Sequence, residues 1–476
     1  MVQQQLSLPC QCELVFVDPP QHLSAAHRLA PGTSLRIRVP DQRDPLFVGE
    51  ITALEYTYDP AGGRELRVRG YDLLHRLRKR QSVRSHVQVS LYDLAQELVA
   101  DIGLTVDATE HGPLWQQRIQ ARQSDLELLT TIADACGLYV VVREHVLHLL
   151  TLAGIGEAVP LILRETLFEA RIELNGDPAC RVVETLGWNP LRIEQFTASA
   201  TTPRSRRSVR AEVLPDQVGG NGIRTMVDEV TQDNSHTEAM ACAELDRQTA
   251  REVTFWGIAD GDTRLQPGTP VEVRGVDDHL AGTYVLTAVK HTIDHQMGFV
   301  SELSTMPPMP APRPHSTVTT IGIVSRVDDP DHLGRVRIVF PTYNDVESEW
   351  LGVLAIAAGQ NKGLMALPDV GDHVLVLLPH EDPAQGIVLG GLYGMGGVPD
   401  SGINERSVRQ YTLLTRGGQR IRLDDVGNLI RLENSDGSYL ELSPEKLLLH
   451  AATDLDLEAP GRLVTIRGQF INFERG

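Results

Sequence analysis

Two arginines, Arg335 and Arg337, stand two residues apart inside DDPDHLGRVRIVFP, residues 328–341. On one strand face they could grip a phosphate backbone, bind an acidic substrate, or form only a solvated edge. Other residues carry comparable chemistry. Cys10 and Cys12 put two thiols on one strand face, but no second pair or nearby histidine completes a zinc set, so they read as ordinary strand residues. His291 and His295 have the spacing that suits metal ligation on a helix; here a strand runs into a turn, and the rings should diverge. Asp424 and Asp425 could form a glycosidase-like carboxylate pair, yet they lie in a turn signal, where acids stabilise the turn. The basic run Arg76–Arg80 is either a nucleic-acid patch or a solvated helix end, the latter favoured by the helix dipole. G-x-S-x-G, H-E-x-x-H and P-loop patterns are lacking, so no catalytic, metal or cofactor residues are expected.

The bulk numbers agree with a scaffold rather than a nucleic-acid binder. The chain has 476 residues and a formal net charge of −19, which argues against wholesale binding to nucleic acid or anionic membranes. Length alone implies about three domains. Plentiful Gly (41) and Pro (28) among short alternating runs point to a β-rich protein. The five scattered cysteines (Cys10, Cys12, Cys136, Cys180 and Cys242) imply a reducing compartment without a disulfide framework. The N-terminal segment lacks the basic and apolar regions of a signal peptide, and no apolar run reaches the roughly 20 residues of a membrane span.

The elements that must position these residues can be read in order. Residues 13–80 read as strands with period 2 through Arg69, after which Leu73, Leu74 and Leu77 switch to helical spacing. A small α/β insertion is expected over about 85–150, with Ser90 capping one helix and Ser124, with Glu127 as a capping box, opening another. Strands return at 161–198. A polar loop at 197–212 carries four arginines, and a helix is expected from Ser235 with Glu238 as its capping box. Residues 306–317 form a proline-rich linker. Five short strands over 318–395 fit a small Greek-key barrel of the OB type. A loop at 396–409 leads to 410–476, where seven short alternating segments repeat every eight or nine residues. Such a repeat suits a β-helix that other copies must close, most simply as an intertwined trimer. Its core candidates are Leu423, Leu432, Leu440, Leu448, Leu457 and Ile466. If trimeric, His450 could place three imidazoles on the axis, though an outward-pointing side chain is the simpler reading.

With linker, barrel and repeat in this order, the chain resembles the central spike or hub proteins of contractile injection machines: VgrG of type VI secretion, the fused hub–spike of phage tails, and the spike of extracellular injection systems. The barrel carries the strongest likeness. GIVSRVDDPDHLGRVRIVFP and the later WLGVLAIAAGQNKGLMALPDVGDHVLVLLPHEDPAQGIVLGGLYG match the family pattern through Gly322, Asp329, Pro330, Gly334, Arg335, Val336, Phe340, Pro341, Trp350, Pro368, Gly371, Asp372, Gly390 and Tyr393. His373 stands where an acid is usual and Gly386 where proline is usual. The first 305 residues match the hub more weakly, through LRVRGYDLLHRLRKR and SLYDLAQELVADIGL.

The resemblance implies a mainly β chain: a hub of small β-barrels, an OB-fold collar and a short trimeric needle. It implies a non-enzymatic homotrimer that adapts a hexameric tail-tube (Hcp-like) ring to a membrane-piercing point. Its partners would be the baseplate, a PAAR-like tip protein and possible effector cargo, with no nucleic acid. It would be assembled in the bacterial cytoplasm within a phage tail-like particle and delivered outward on contraction. The alternatives are a type VI VgrG acting as an effector-carrying secreted spike, and an OB-fold nucleic-acid-binding protein. In the collar reading Arg335 and Arg337 point outward and pair with acids of a neighbouring subunit rather than with phosphate.

Overall fold

The computed structural model describes residues 1–20, 29–310, 316–394, 397–398 and 400–474. The chain divides into two compact units, Met1–Leu392 and Tyr393–Gly476. The linker expected over 306–317 falls partly, at 311–315, outside the described residues.

The backbone of the first unit is a nine-stranded sheet. Across it, in spatial order, run Leu167–Leu174, Val253–Asp260, Gly298–Ser304, Ala288–Asp294, Val2–Gln5, Gln11–Val17, Arg64–Tyr71, Phe47–Tyr58 and Ser34–Ile37. Every neighbouring pair is antiparallel. The two β regions of the hub therefore share one sheet, joined at Val2–Gln5, which pairs with Gln11–Val17 on one side and Ala288–Asp294 on the other. Val2 and Cys12 alternate inward from this seam and are fully buried.

The α/β insertion folds as its periodicity indicates. The helices Leu91–Val99 and Asp125–Ala135 both begin in reciprocal capping boxes, Ser90 with Asp93 and Ser124 with Glu127. Each box satisfies two otherwise orphaned backbone donors. Leu94 and Leu98 from one helix and Leu128 and Ile132 from the other close a common core with Leu74 and Leu77. The long helix Asn234–Glu252 starts one residue before the expected Ser235, and its cap is Asp233. The Asp233 carboxylate accepts from the backbone N–H of Ser235 and His236, and the Ser235 hydroxyl itself donates to Asp233 rather than capping. An ionised acid at the N-terminus gains from the helix dipole as well as from the hydrogen bonds, so it displaces the serine.

Residues 318–391 form a six-stranded barrel sheet ordered Val346–Glu347, Arg337–Phe340, Val318–Arg326, His373–Leu378, Ile387–Gly391 and Gly352–Val353. A bridge between Val336 and Leu351 links the start of Arg337–Phe340 to the end strand Gly352–Val353. Val336, Ile338 and Phe340 point into the core with Val374, Val376, Leu378 and Val388, all of them fully buried. Burying each side chain of this size contributes about 1.5–3 kcal/mol. EWLGVLAIA, 349–357, one of the five strands expected in the barrel, forms a strand of only two residues, Gly352–Val353, and the loop after it leaves Leu354, Ile356 and Met365 exposed.

The second unit is a five-stranded antiparallel meander: Gln410–Leu414, Arg420–Asp424, Leu429–Glu433, Tyr439–Leu442 and Leu447–His450. Its first strand precedes the repeats read from the sequence. Residues 451–474 carry no strand in the single chain.

Candidate assembly interfaces

The segment 328–341 builds its site from a turn. Gly334 takes the left-handed conformation (φ +71°) that lets the chain reverse after Leu333. Both carboxylate oxygens of Asp329 are then enclosed: they accept from the backbone N–H of Asp331, Leu333 and Arg335. The Arg335 guanidinium closes the remaining side, Nε to Oδ2 at 3.0 Å and Nη2 to Oδ1 at 2.7 Å. That guanidinium, with the N–H donors behind it, holds the Asp329 carboxyl far below its ordinary range. Arg337 donates to Glu347 and Glu349 at 3.3 and 3.0 Å. Arg326 and Arg337 both lie over the Trp350 ring, at 5.4 and 5.3 Å from its centre.

The expectation that Arg335 and Arg337 reach acids of a neighbouring subunit is therefore corrected. Their partners are acids of the same chain, brought close by the turn and by the Val346–Glu347 strand. This consumption of charge also speaks against the nucleic-acid reading, which needs free cations beside exposed aromatics.

The other collar residues are mostly backbone devices. A Cβ on Gly322 would come within 2.2 Å of Ile338 Cγ2, so only glycine fits there. Gly371 (φ +91°) and Gly390 (φ +154°) hold conformations that side chains resist. Asp372 accepts from Asp369 N–H, while the backbone of Gly371 and Asp372 pairs with Val324. Pro341 opens a short 3-10 turn. Pro330 is exposed and Pro368 half-buried, and Tyr393 is exposed at the start of the second unit.

The barrel is fastened to the insertion by residues that carry no sequence signal. Gln117 Nε2 donates to Glu347 O, and its Oε1 accepts from Glu349 N–H. Arg118 meets Asp382 at 2.7 Å. These are ordinary polar residues on an insertion strand, and their role depends on a partner more than 200 positions away.

In the second unit, register decides which side chains share a face. Leu413, Ile421, Leu432, Leu440 and Leu449 form one cross-strand row, and Tyr411, Leu423, Ile430, Leu442 and Leu447 form the next. Their face is open: Leu423 is 43% exposed and Leu432 40%. The opposite face is a charged ladder in which Arg431 meets Glu433 and Glu441, and Arg422 meets Asp424. Leu448 stands across from Glu441 and so belongs to this charged face. That placement corrects its inclusion with Leu423, Leu432 and Leu440: a tight turn at 443–446 sets the pairing, and the apolar row continues through its neighbours Leu447 and Leu449. Leu457 and Ile466 lie in the strandless stretch, both exposed. His450 stacks on Tyr439 with ring centres 4.9 Å apart.

The other candidates occupy structural roles. His291 is buried, hydrogen-bonded to Ser301 Oγ and Leu265 O, and burial pushes its pKa down to about 4. His295 lies beyond the strand in an exposed turn. Cys10 and Cys12 are free thiols. Arg76 pairs with Glu50, Arg80 with Asp101, and Arg78 lies over the Tyr71 ring, which accounts for three of the four cations of the basic run. Of the arginine loop, Arg204 is bound to Asp246 and Glu110. Asp424 serves its turn by accepting from the N–H of Val426 and Gly427. Among the described residues no helix is long and apolar enough to cross a membrane, and no group of three or more acidic, histidine or cysteine side chains is placed to hold a metal.

Comparison with known proteins adds the family context. Residues 12–295, more than half the chain, match the family described as the Alg8 N-terminal domain. Residues 320–393 match the type VI secretion system/phage-baseplate injector OB domain. The type VI secretion system spike protein VgrG1b of Pseudomonas aeruginosa is 28% identical over 164 residues, which is 32% of this chain and 20% of that protein. The chain thus aligns with about a fifth of that relative's length. Two solved structures share the fold. An E. coli type VI secretion component, itself described as similar to the T4 tail proteins gp27 and gp5, superposes with a TM-score of 0.54 at 12% identity, covering 82% of this chain and 95% of that one. A chain of a Francisella PdpA–VgrG complex superposes with a TM-score of 0.56 at 9% identity, covering 94% and 82%.

Proposed function

We propose that this chain, which belongs to the Alg8 N-terminal domain family and to the VgrG and phage-baseplate spike family, is the non-enzymatic hub and spike of a contractile injection machine. The single observation that carries this reading is the open apolar face at 410–450. Two rows of five large side chains lie on one side of a single-layer meander, and an ion-pair ladder covers the other. A lone sheet of this kind has no core, and an exposed apolar surface of this extent marks an assembly face.

Three copies meeting face to face would bury both rows around one axis and leave the ladders outside. Residues 451–474 supply further apolar side chains, Leu457 and Ile466 among them, that three intertwined strands would enclose. The hub would meet a hexameric tube ring, and the needle would carry a PAAR-like cap. Within this reading the particle is assembled in the bacterial cytoplasm and driven outward by contraction of a surrounding sheath.

The test is light scattering and electron microscopy of the purified chain. A homotrimer with ring, collar and needle is expected, and deletion of 410–476 should leave a hub that no longer binds a PAAR-like protein. A clean monomer at micromolar concentration would end the proposal.

A further inference from the structure

The barrel presents an apolar segment that is open to solvent. Alternation along EWLGVLAIA turns Leu351 into the core and leaves Val353 and Ala355 half-buried, so Leu354 and Ile356 fall on the outer side. The chain then folds back as a small hairpin. Leu364 N–H donates to Ile356 O at 2.9 Å, and Gly359 and Lys362 exchange backbone hydrogen bonds at 3.1 and 3.2 Å. Leu354, Ile356, Leu364 and Met365 are 63, 73, 49 and 75% exposed. Leu367 lies beside the turn at Gly334, where a Cβ would stand 3.7 Å from it, and the neighbouring Leu333 is 67% exposed.

The size of this surface matches a protein contact. A fully exposed side chain of this kind offers on the order of 100 Å² of apolar surface. The hairpin with Leu333 therefore offers roughly 350 Å² per copy, against roughly 450 Å² of apolar area on one side of a standard interface.

Charge and tethering both favour a second copy as the occupant. Residues 318–394 hold ten acidic and four basic side chains, so two barrels repel except across a neutral face. From Val353 to Pro368 the one charge is Lys362. The three arginines of the barrel pair with acids of their own chain, while Lys362 makes no ion pair among the described residues. A lone cation beside an apolar patch complements the acidic surface of another barrel. Eighteen residues, 392–409, join the last barrel strand to the first strand of the tail meander. Three barrels tethered in this way to one needle each lie within about 60 Å of chain from it. Their effective concentration is then on the order of millimolar, at which a contact smaller than standard still forms.

Resting on the trimer reading, we propose that the hairpin 354–367 is a contact between the barrels of neighbouring copies. Leu354, Ile356, Leu364 and Met365 pack on the next copy's barrel, and Lys362 at the rim meets its acids.

Oxidation of Met365 by hydrogen peroxide, followed in the full chain by mass spectrometry against a blocked methionine standard, tests this. Met365 should oxidise at least about tenfold more slowly in the trimer than in Leu432→Glu monomers. A double variant, Ile356→Glu with Leu364→Glu, changes a surface open in the single chain and should fold. Its labelled trimers should exchange subunits at least about tenfold faster than the unmodified ones. Should Leu432→Glu remain trimeric, the double variant carries the test. A trimer whose Met365 oxidises at the monomer rate, or a double variant that exchanges at the unmodified rate, overturns the inference and leaves the trimer standing. Slow oxidation that persists in the monomer also overturns it, because the chain itself then covers the hairpin. An unmodified chain that is monomeric removes both readings.

Discussion

The side-chain amide of Gln117 takes the place of a neighbouring strand beside Glu349: its Oε1 accepts from the Glu349 N–H at 2.9 Å while its Nε2 donates to Glu347 O at 2.8 Å. One insertion residue thereby reads the barrel backbone as a sheet partner would, and with Arg118 on Asp382 it fixes how the barrel sits on the insertion.

Replacing Gln117 by Ala removes these two bonds, together with the one its Nε2 donates to Ser85 Oγ, and leaves a backbone N–H and C=O at a half-buried junction. A loss of about 1–3 kcal/mol is expected in denaturant unfolding. Faster amide exchange at Glu349, with the barrel core unaffected, would locate the loss at the junction.

Asp329 sets an acid limit on the collar. Its folded pKa is depressed by Arg335 and the surrounding N–H groups, so its stabilisation is present above the unfolded carboxylate value of about 4. That contribution fades as pH falls from there toward the folded value. Asp329→Asn should lower the melting temperature at pH 7 and flatten its dependence between pH 2 and 5. An unchanged acid limb in the variant would refute the assignment.

Gly322→Ala should destabilise the barrel by about 1–3 kcal/mol, because the added methyl overlaps Ile338 within a packed core. Pairing it with Ile338→Ala tests the cause: part of the stability should return in the double variant, as a coupled neighbour requires.

The two faces of the tail predict opposite outcomes for one kind of change. Leu432→Glu places a charge in the apolar row and should convert trimers to monomers in light scattering. Leu448→Glu, on the face of Arg431 and Arg422, should leave the trimer intact. If Leu448→Glu is the disruptive variant, the proposed buried face is the wrong one.

How much of this could be read in advance differs by region. The collar strand was plain, because Val336, Ile338 and Phe340 alternate and one side is buried, leaving little choice of register. The insertion helices are legible too, since Ser90 and Ser124 stand just before leucines at helical spacing and Glu127 follows Ser124 by three residues; the Ser90–Asp93 box is visible only in the structure. The face of Leu448 is not legible in the sequence, because alternation within a strand fixes two faces but not which one faces the partner; the turn at 443–446 decides that. The partners of Arg335 and Arg337 are not legible in the sequence, because Asp329 meets Arg335 only once the turn closes and Glu349 meets Arg337 only once the Val346–Glu347 strand pairs. Gln117 left no trace, since a glutamine on a strand is ordinary until a distant segment meets it.

The strand Val2–Gln5 joins the two halves of the nine-stranded sheet, with Val2 opposite Cys12 on one flank and His291 on the other. Its second edge therefore stays unpaired on the ribosome until residues 288–291 have emerged, which at about 5–20 residues per second takes on the order of tens of seconds. The early half of the hub is exposed for that interval to pairing with another nascent chain. For a protein proposed to work in threes, the order of synthesis thus bears on the fidelity of assembly: subunits translated close together have the longest window in which to exchange first strands, and expression at lower temperature or density should change the yield of correctly built particles before it changes the stability of any one of them.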